Sequence, residues 1–206
     1  MVCGAGLVHQ DHSRSGEIMK NNKIKKIVLL SLLTALALII FTIESAIPPI
    51  VPIQGVKLGL ANVITLFLVL NADNRSAFAV LIVRVILAAI FAGQAISMIY
   101  SLCGGLLALG AMRAANYLLK GKPVWFISTA GAVSHNVGQI GAAVLMLSWQ
   151  VIYYLPYLLI SGCITGVLIG LLTGFTSSKM EKSGILKKFT DVFYYKQLEK
   201  ENNHDL

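Results

Sequence analysis

The sequence predicts an all-α integral membrane protein of six transmembrane helices with both termini in the cytoplasm. Three observations carry that prediction. Of 206 residues, 56% are hydrophobic and 13% charged, where a soluble domain holds about 25% charged residues. The mean hydropathy is +0.76, and the apolar residues gather into long runs of the kind a bilayer selects. All the lysines and arginines except Lys57 and Arg84 fall on one side of a six-span alternation, which the positive-inside rule makes cytoplasmic. The net charge of +8 is therefore a topology signal and a grip on anionic lipid, and nucleic acid is not expected as a partner.

Residues 1–23 form a basic leader that lacks the apolar core of a signal peptide. It is expected to be disordered. Met19 opens a more conventional membrane-protein start, so an over-called beginning is one reading of residues 1–18. The first span is placed at 24–43, behind Lys20, Lys23, Lys25 and Lys26. The second runs from about 56 to 70 and ends at the polar turn NADNR. The third covers 77–91, the fourth 95–119, the fifth 124–147 and the sixth 152–175. About 20 helical residues cover the roughly 30 Å hydrocarbon core, so spans two and three are short. The six-helix domain is bounded at 24–178, and residues 179–206 form a basic cytoplasmic tail with an amphipathic stretch around GILKKFTDVFYY.

The connection between spans one and two is unusual: ESAIPPIVPIQGVKLGLAN is largely apolar yet contains Pro48, Pro49 and Pro52, which cannot donate backbone hydrogen bonds. Irregular backbone near hydrocarbon needs protein or a water-filled cavity around it. The segment is expected to fold over the bundle as a lid or to dip back into it. Glu44 either reaches interfacial water or braces this loop, and Lys57 either snorkels outward or reaches into an outward-facing pocket.

Polar residues inside the spans are costly and therefore informative. Arg84 lies at the middle of FAVLIVRVILAAI, where insertion of an arginine costs at least ~2.5 kcal/mol. It has either a structural partner, with Glu44 the available carboxylate, or a ligand. In span five, Ser128, His135 and Gln139 recur at helical spacing on one stripe, with Asn136 beside them. That cluster either satisfies itself or lines a polar site. His135 has no second histidine or cysteine at ligand spacing, so no metal is expected. Gly162, Gly166, Gly170 and Gly174 make a small-residue ridge along span six, facing either a partner or another span.

PPIVPIQGVKLGLANVITLF together with AGAVSHNVGQI resembles the bacterial Gx transporter family, also described as heptaprenyl diphosphate synthase component I. That family is in turn similar to the S components of energy-coupling factor transporters. The resemblance covers residues 24–178. It implies an S-component-like bundle in the bacterial cytoplasmic membrane, with a ligand pocket near the outer face and a 1–2 loop that closes over it. It implies as partners a small molecule related to flavins, quinones or prenyl compounds, and a transmembrane coupling subunit working with ATPases. The small-residue surface expected on span one departs from the pattern, its nearest match being 31–35, SLLTA.

The resulting expectation is a substrate-binding or translocation subunit. Its ligand-binding residues would be Glu44, Gln54, Lys57, Asn62, Arg84, His135, Asn136 and Gln139. The alternative is a non-transporting membrane anchor, or a quinone- or flavin-binding module of an electron-transfer or prenyl-diphosphate pathway. Catalysis is not expected. Prenyl transfer needs clustered aspartates to hold magnesium, and Asp11, Asp73, Asp191 and Asp205 stand apart. No cofactor is expected, and the glycine-rich stretches lack the lysine of a phosphate-binding loop.

Overall fold

The architecture comes from a computed structural model, which describes residues 5–47, 56–93, 95–118 and 123–202, with side chains described between residues 20 and 194. The proline segment expected to act as a lid, and Gln54 within it, lie outside the described residues.

Among the described residues seven α-helices follow one another: α1 (Ala5–Ser45), α2 (Asn62–Asn71), α3 (Asn74–Ala92), α4 (Ala95–Leu118), α5 (Val124–Met146), α6 (Leu155–Lys182) and α7 (Ile185–Asn202). A short 3₁₀ helix, Trp149–Tyr154, leads into α6. The backbone of α1 is helical from Ala5, so the leader expected at 1–23 continues into the first span without a break.

The six-span, S-component-like bundle expected from the apolar runs requires correction. Among the described residues, four helical segments are long and apolar enough to cross a bilayer: Lys20–Ser45, Asn74–Ala92, Ala95–Leu118 and Trp149–Lys182. The physical reasons for the shortfall differ. The ten residues of α2 rise only about 15 Å, half the hydrocarbon thickness. The 23 residues of α5 are long enough, but Ser128, His135, Asn136 and Gln139 dilute its apolar character. Both helices are screened by their neighbours, with every residue of α2 from Ile64 to Val69 buried.

The outer surface is apolar in the way lipid demands. Ile27, Leu32, Ile39 and Ile43 on α1 are exposed, as are Ile160, Ile164, Leu168 and Phe175 on α6. Only 17% of the apolar window of α1 is buried, which makes it a peripheral, lipid-facing helix. This is a multi-pass, helix-rich membrane protein.

Helices α4, α5 and α6 pack most closely, because glycines remove the side chains between them. A Cβ on Gly166 of α6 would come within 2.7 Å of Thr129 Cα on α5, and one on Gly138 within 2.8 Å of the Cys103 carbonyl oxygen on α4. The α6 ridge read from the sequence thus meets another helix of its own chain through Gly162, Gly166 and Gly170.

At the lysine-rich end, the start of α3 is tied to α1. The Asp73 side chain caps α3 by accepting from Ser76 N at 3.3 Å and Ser76 Oγ at 2.7 Å. It also accepts from Lys26 Nζ at 2.8 Å. Burial alone would push the Asp73 carboxyl up, but the hydrogen bonds from Lys26 and Ser76 outweigh it and hold the group below its ordinary value. Gly184, with φ +70, turns the chain from α6 into α7. Phe189 and Phe193 then bury against the bundle. The ring of Phe189 meets Phe67 of α2 at 5.3 Å between centroids, edge-on at 61°. Lys26 Nζ lies 5.3 Å from the centroid of Phe193. The polar tail foreseen from composition therefore includes a helix that belongs to the packed core.

Candidate functional site

Five of the sequence-selected residues meet at the end of the bundle opposite the lysine cluster. Glu44, Lys57, Arg84, His135 and Gln139 line one chamber of about 20 Å³, with Phe41, Gly59 and Ser101 among its other walls. About 10–15 Å³ of such space is enough for one water-sized occupant. As it stands, the chamber is a single-occupant hole rather than a pocket for a ring system.

Glu44 ends α1 with its carboxylate turned inward, 5% exposed. Its Oε1 accepts from Gly59 N at 2.6 Å and its Oε2 from Leu60 N at 3.1 Å. A side chain from α1 thereby satisfies backbone donors in the turn that enters α2. Charge-assisted bonds of this kind are about twice as strong as neutral ones. The turn needs Gly59. Its φ is +82, and a Cβ there would sit 2.8 Å from His135 Cδ2 and 2.9 Å from Asn62 Nδ2.

Arg84 projects from the middle of α3 into the bundle, 5% exposed. Its Nη2 donates to Asn62 Oδ1 at 3.4 Å. Asn62, the first residue of α2, is thus held beside the chamber by the arginine. Glu44 and Arg84 share the chamber, and among the described residues they form no direct ion pair.

Lys57 sits just before α2 and joins the chamber to its surface. Its backbone N donates weakly to Gln139 Oε1 at 3.4 Å. Its Nζ donates to Ser45 Oγ and lies 3.4 Å from the centroid of Phe41, in cation–π contact. Burial pushes the Lys57 ammonium below its ordinary value, and nearby Glu44 partly offsets that.

The stripe on α5 is buried as a unit, with Ser128 1%, His135 3% and Gln139 0% exposed. Gly104 of α4 makes room for it: a Cβ there would meet the His135 backbone oxygen at 2.8 Å and Gln139 Cγ at 2.9 Å. Asn136 faces the other way. Its Nδ2 donates to the Leu158 carbonyl on α6 at 2.5 Å, so it is an interhelical tie outside the chamber. Among the described residues no three His, Cys, Asp or Glu side chains come together as a metal site.

A second cavity was not foreseen from the sequence. A groove of about 580 Å³ runs between α1, α2, α6 and α7, within the ~300–1,000 Å³ typical of small-molecule sites. Leu29, Leu33, Leu36, Phe67 and Phe189 form much of its wall, and Lys188 stands at its lysine-rich end. The only advance signal was the amphipathic stretch of α7. Nothing local in the sequence says that α7 folds back against α1.

The sequence profile of the heptaprenyl diphosphate synthase component I family matches residues 33–176. No curated protein and no solved structure matches the chain. The match overturns the Gx transporter and energy-coupling S-component identity expected from PPIVPIQGVKLGLAN and AGAVSHNVGQI, because the profile that covers those stretches is the synthase-component one. It takes in α2 to α5 whole, most of α6 and the last third of α1, and so the chain belongs to the heptaprenyl diphosphate synthase component I family.

Proposed function

We propose that this chain is a membrane-embedded, non-catalytic component of a prenyl-diphosphate pathway. It retains a prenyl chain in the groove between α1, α2, α6 and α7 and presents the diphosphate at the lysine-rich end. The observation that carries this reading is the groove itself. Its walls are nearly all aliphatic or aromatic, apart from Thr173, Thr176 and Lys188, and they reach Met180 in the last turn of α6, the turn that carries Lys179 and Lys182.

Apolar walls with a cationic end suit an amphiphile that has a hydrocarbon tail and a compact anionic head. Each methylene moved from water to such a wall gains about 0.8 kcal/mol, but a tail in lipid gains the same. Retention therefore depends on shape and on the head. Lysines at an anionic-lipid surface contribute about 1 kcal/mol apiece, which favours a diphosphate over the uncharged ring of a prenylated quinone. The absence of catalysis in this proposal follows from the carboxylates. Asp73 is committed to Lys26 and Ser76 and Asp191 lies exposed on α7, and among the described residues no three His, Cys, Asp or Glu side chains gather as a metal site.

The test is photo-labelling of the full chain in nanodiscs with a benzophenone-bearing prenyl diphosphate. The proposal expects labels on peptides from α1 and α7 that unlabelled farnesyl diphosphate suppresses. Labels spread evenly over the lipid-facing surfaces of α3 and α4, and indifferent to the competitor, would refute it.

A further inference from the structure

The chamber near Glu44 has an imbalance that the prenyl-chain reading leaves unused. Its acceptors are taken. Both oxygens of Glu44 receive backbone N–H groups, and Gln139 Oε1 receives Lys57 N. Its donors are not. Arg84 Nε and Gln139 Nε2, on two residues of the wall, have no hydrogen-bond partner, and neither has Asn62 Nδ2 beside Gly59. The parent side chains are 5%, 0% and 3% exposed. His135 Nδ1, on a third wall residue, is also unpartnered and is a further donor in the tautomer that carries its proton there.

These amide orientations are fixed by their neighbours. Turning Gln139 over would set its NH₂ against Lys57 N–H, and turning Asn62 over would set its NH₂ against the Arg84 guanidinium. The free groups are therefore donors. Unmet buried donors each cost about 1–3 kcal/mol.

Charge points the same way. The wall carries two cationic side chains, Lys57 and Arg84, and one carboxylate, Glu44. The wall therefore carries one net positive charge, with the Arg84 guanidinium buried and the Lys57 ammonium at the surface edge beside Ser45. An occupant that accepts several hydrogen bonds, carries one negative charge and fits a hole of about 20 Å³ meets all three conditions.

We propose that the chamber lined by Arg84, Gln139 and Lys57 is a binding site for one compact monovalent anion of about chloride size. The anion takes the N–H groups of Arg84 and Gln139 and balances the surplus charge. By doing so it locks the Glu44-braced turn into α2 against α3 and α5. The site lies at the opposite end of the bundle from the lysines around the prenyl groove, and the proposal stands without the prenyl reading.

The experiment is chloride-35 NMR line broadening on the full chain in detergent, with gluconate holding the ionic strength constant. Expected is saturable broadening that bromide titrates away. Gln139→Leu, which removes the free Nε2 donor together with the weak acceptor of Lys57 N and keeps the approximate shape, should weaken chloride by about tenfold or more, since a hydrogen bond to a charged group is at stake. Arg84→Met should abolish the broadening. No saturable broadening in the unaltered protein overturns the proposal. So does broadening with unchanged affinity in Gln139→Leu, which would assign the ion to the lysine-rich end; that comparison decides even if Arg84→Met fails to fold.

Discussion

Replacing Glu44 with glutamine removes a charge while keeping the outline of the side chain, and the geometry fixes where the effect should appear. Two backbone donors, Gly59 N at 2.6 Å and Leu60 N at 3.1 Å, depend on the two carboxylate oxygens. A glutamine has one oxygen, so one of these bonds survives as a neutral one and the other donor faces an NH₂. Bonds to charged groups contribute about 1.5–3 kcal/mol each and neutral ones about 1, a gross loss of about 2–5 kcal/mol that relief of carboxylate burial brings to about 2–3. Part of the cost of burying a carboxylate is recovered in the variant. That recovery is limited, because among the described residues Glu44 is the only carboxylate lining the chamber and its removal leaves Arg84 and Lys57 less compensated. The assay is hydrogen exchange of the peptide spanning residues 56–61 in nanodiscs. Amides 59 and 60 should exchange about 30- to 150-fold faster in Glu44→Gln, while the middle of α4 keeps its protection. Rates at those two amides within twofold of the unaltered protein would show that the carboxylate does not hold the turn.

Two further outcomes follow from packing and charge elsewhere in the molecule. Gly166→Leu places a side chain where Thr129 Cα lies 2.7 Å and Ala132 Cβ 3.1 Å from the new Cβ; an overpacking cost of at least ~1–3 kcal/mol should lower the detergent unfolding midpoint by several degrees, and an unchanged midpoint would contradict the close α5–α6 contact. The Asp73 carboxyl is held below its ordinary value, so its contribution is complete above pH ~4 and is lost as pH falls through the depressed folded value. For a partly exposed pair that contribution is at most about 1 kcal/mol. Asp73→Asn should therefore lower the midpoint slightly at pH 7 and flatten its fall between about pH 4 and pH 2; the same acid slope in both proteins would remove Asp73 from the account.

Much of this fold was legible because apolar runs and helices coincide: α3, α4 and α5 begin and end within a few residues of the runs that announce them. Crossing was harder to read. Run length made a span of α2, whose ten helical residues are too few, and hydropathy around His135 and Gln139 made a span of α5, whose polar stripe serves the interior. The chamber residues stood out because each is costly in an apolar setting, and burial does bring Glu44, Lys57, Arg84, His135 and Gln139 together. Their partners did not stand out. The donors to Glu44 are backbone groups of Gly59 and Leu60, which leave no mark on residue type, and Asn136 differs from His135 only by its rotation about α5. The groove was invisible for the same reason. It exists because Phe189 on α7 reaches Phe67 on α2, a contact between residues more than a hundred positions apart.

The most direct measurement is native mass spectrometry of the full chain released gently from membranes that contain both prenyl diphosphates and glycerophospholipids. The account predicts one retained prenyl diphosphate per chain, displaced when Leu36→Trp narrows the groove. Retention of phospholipid alone, or prenyl retention that Leu36→Trp leaves untouched, would contradict it.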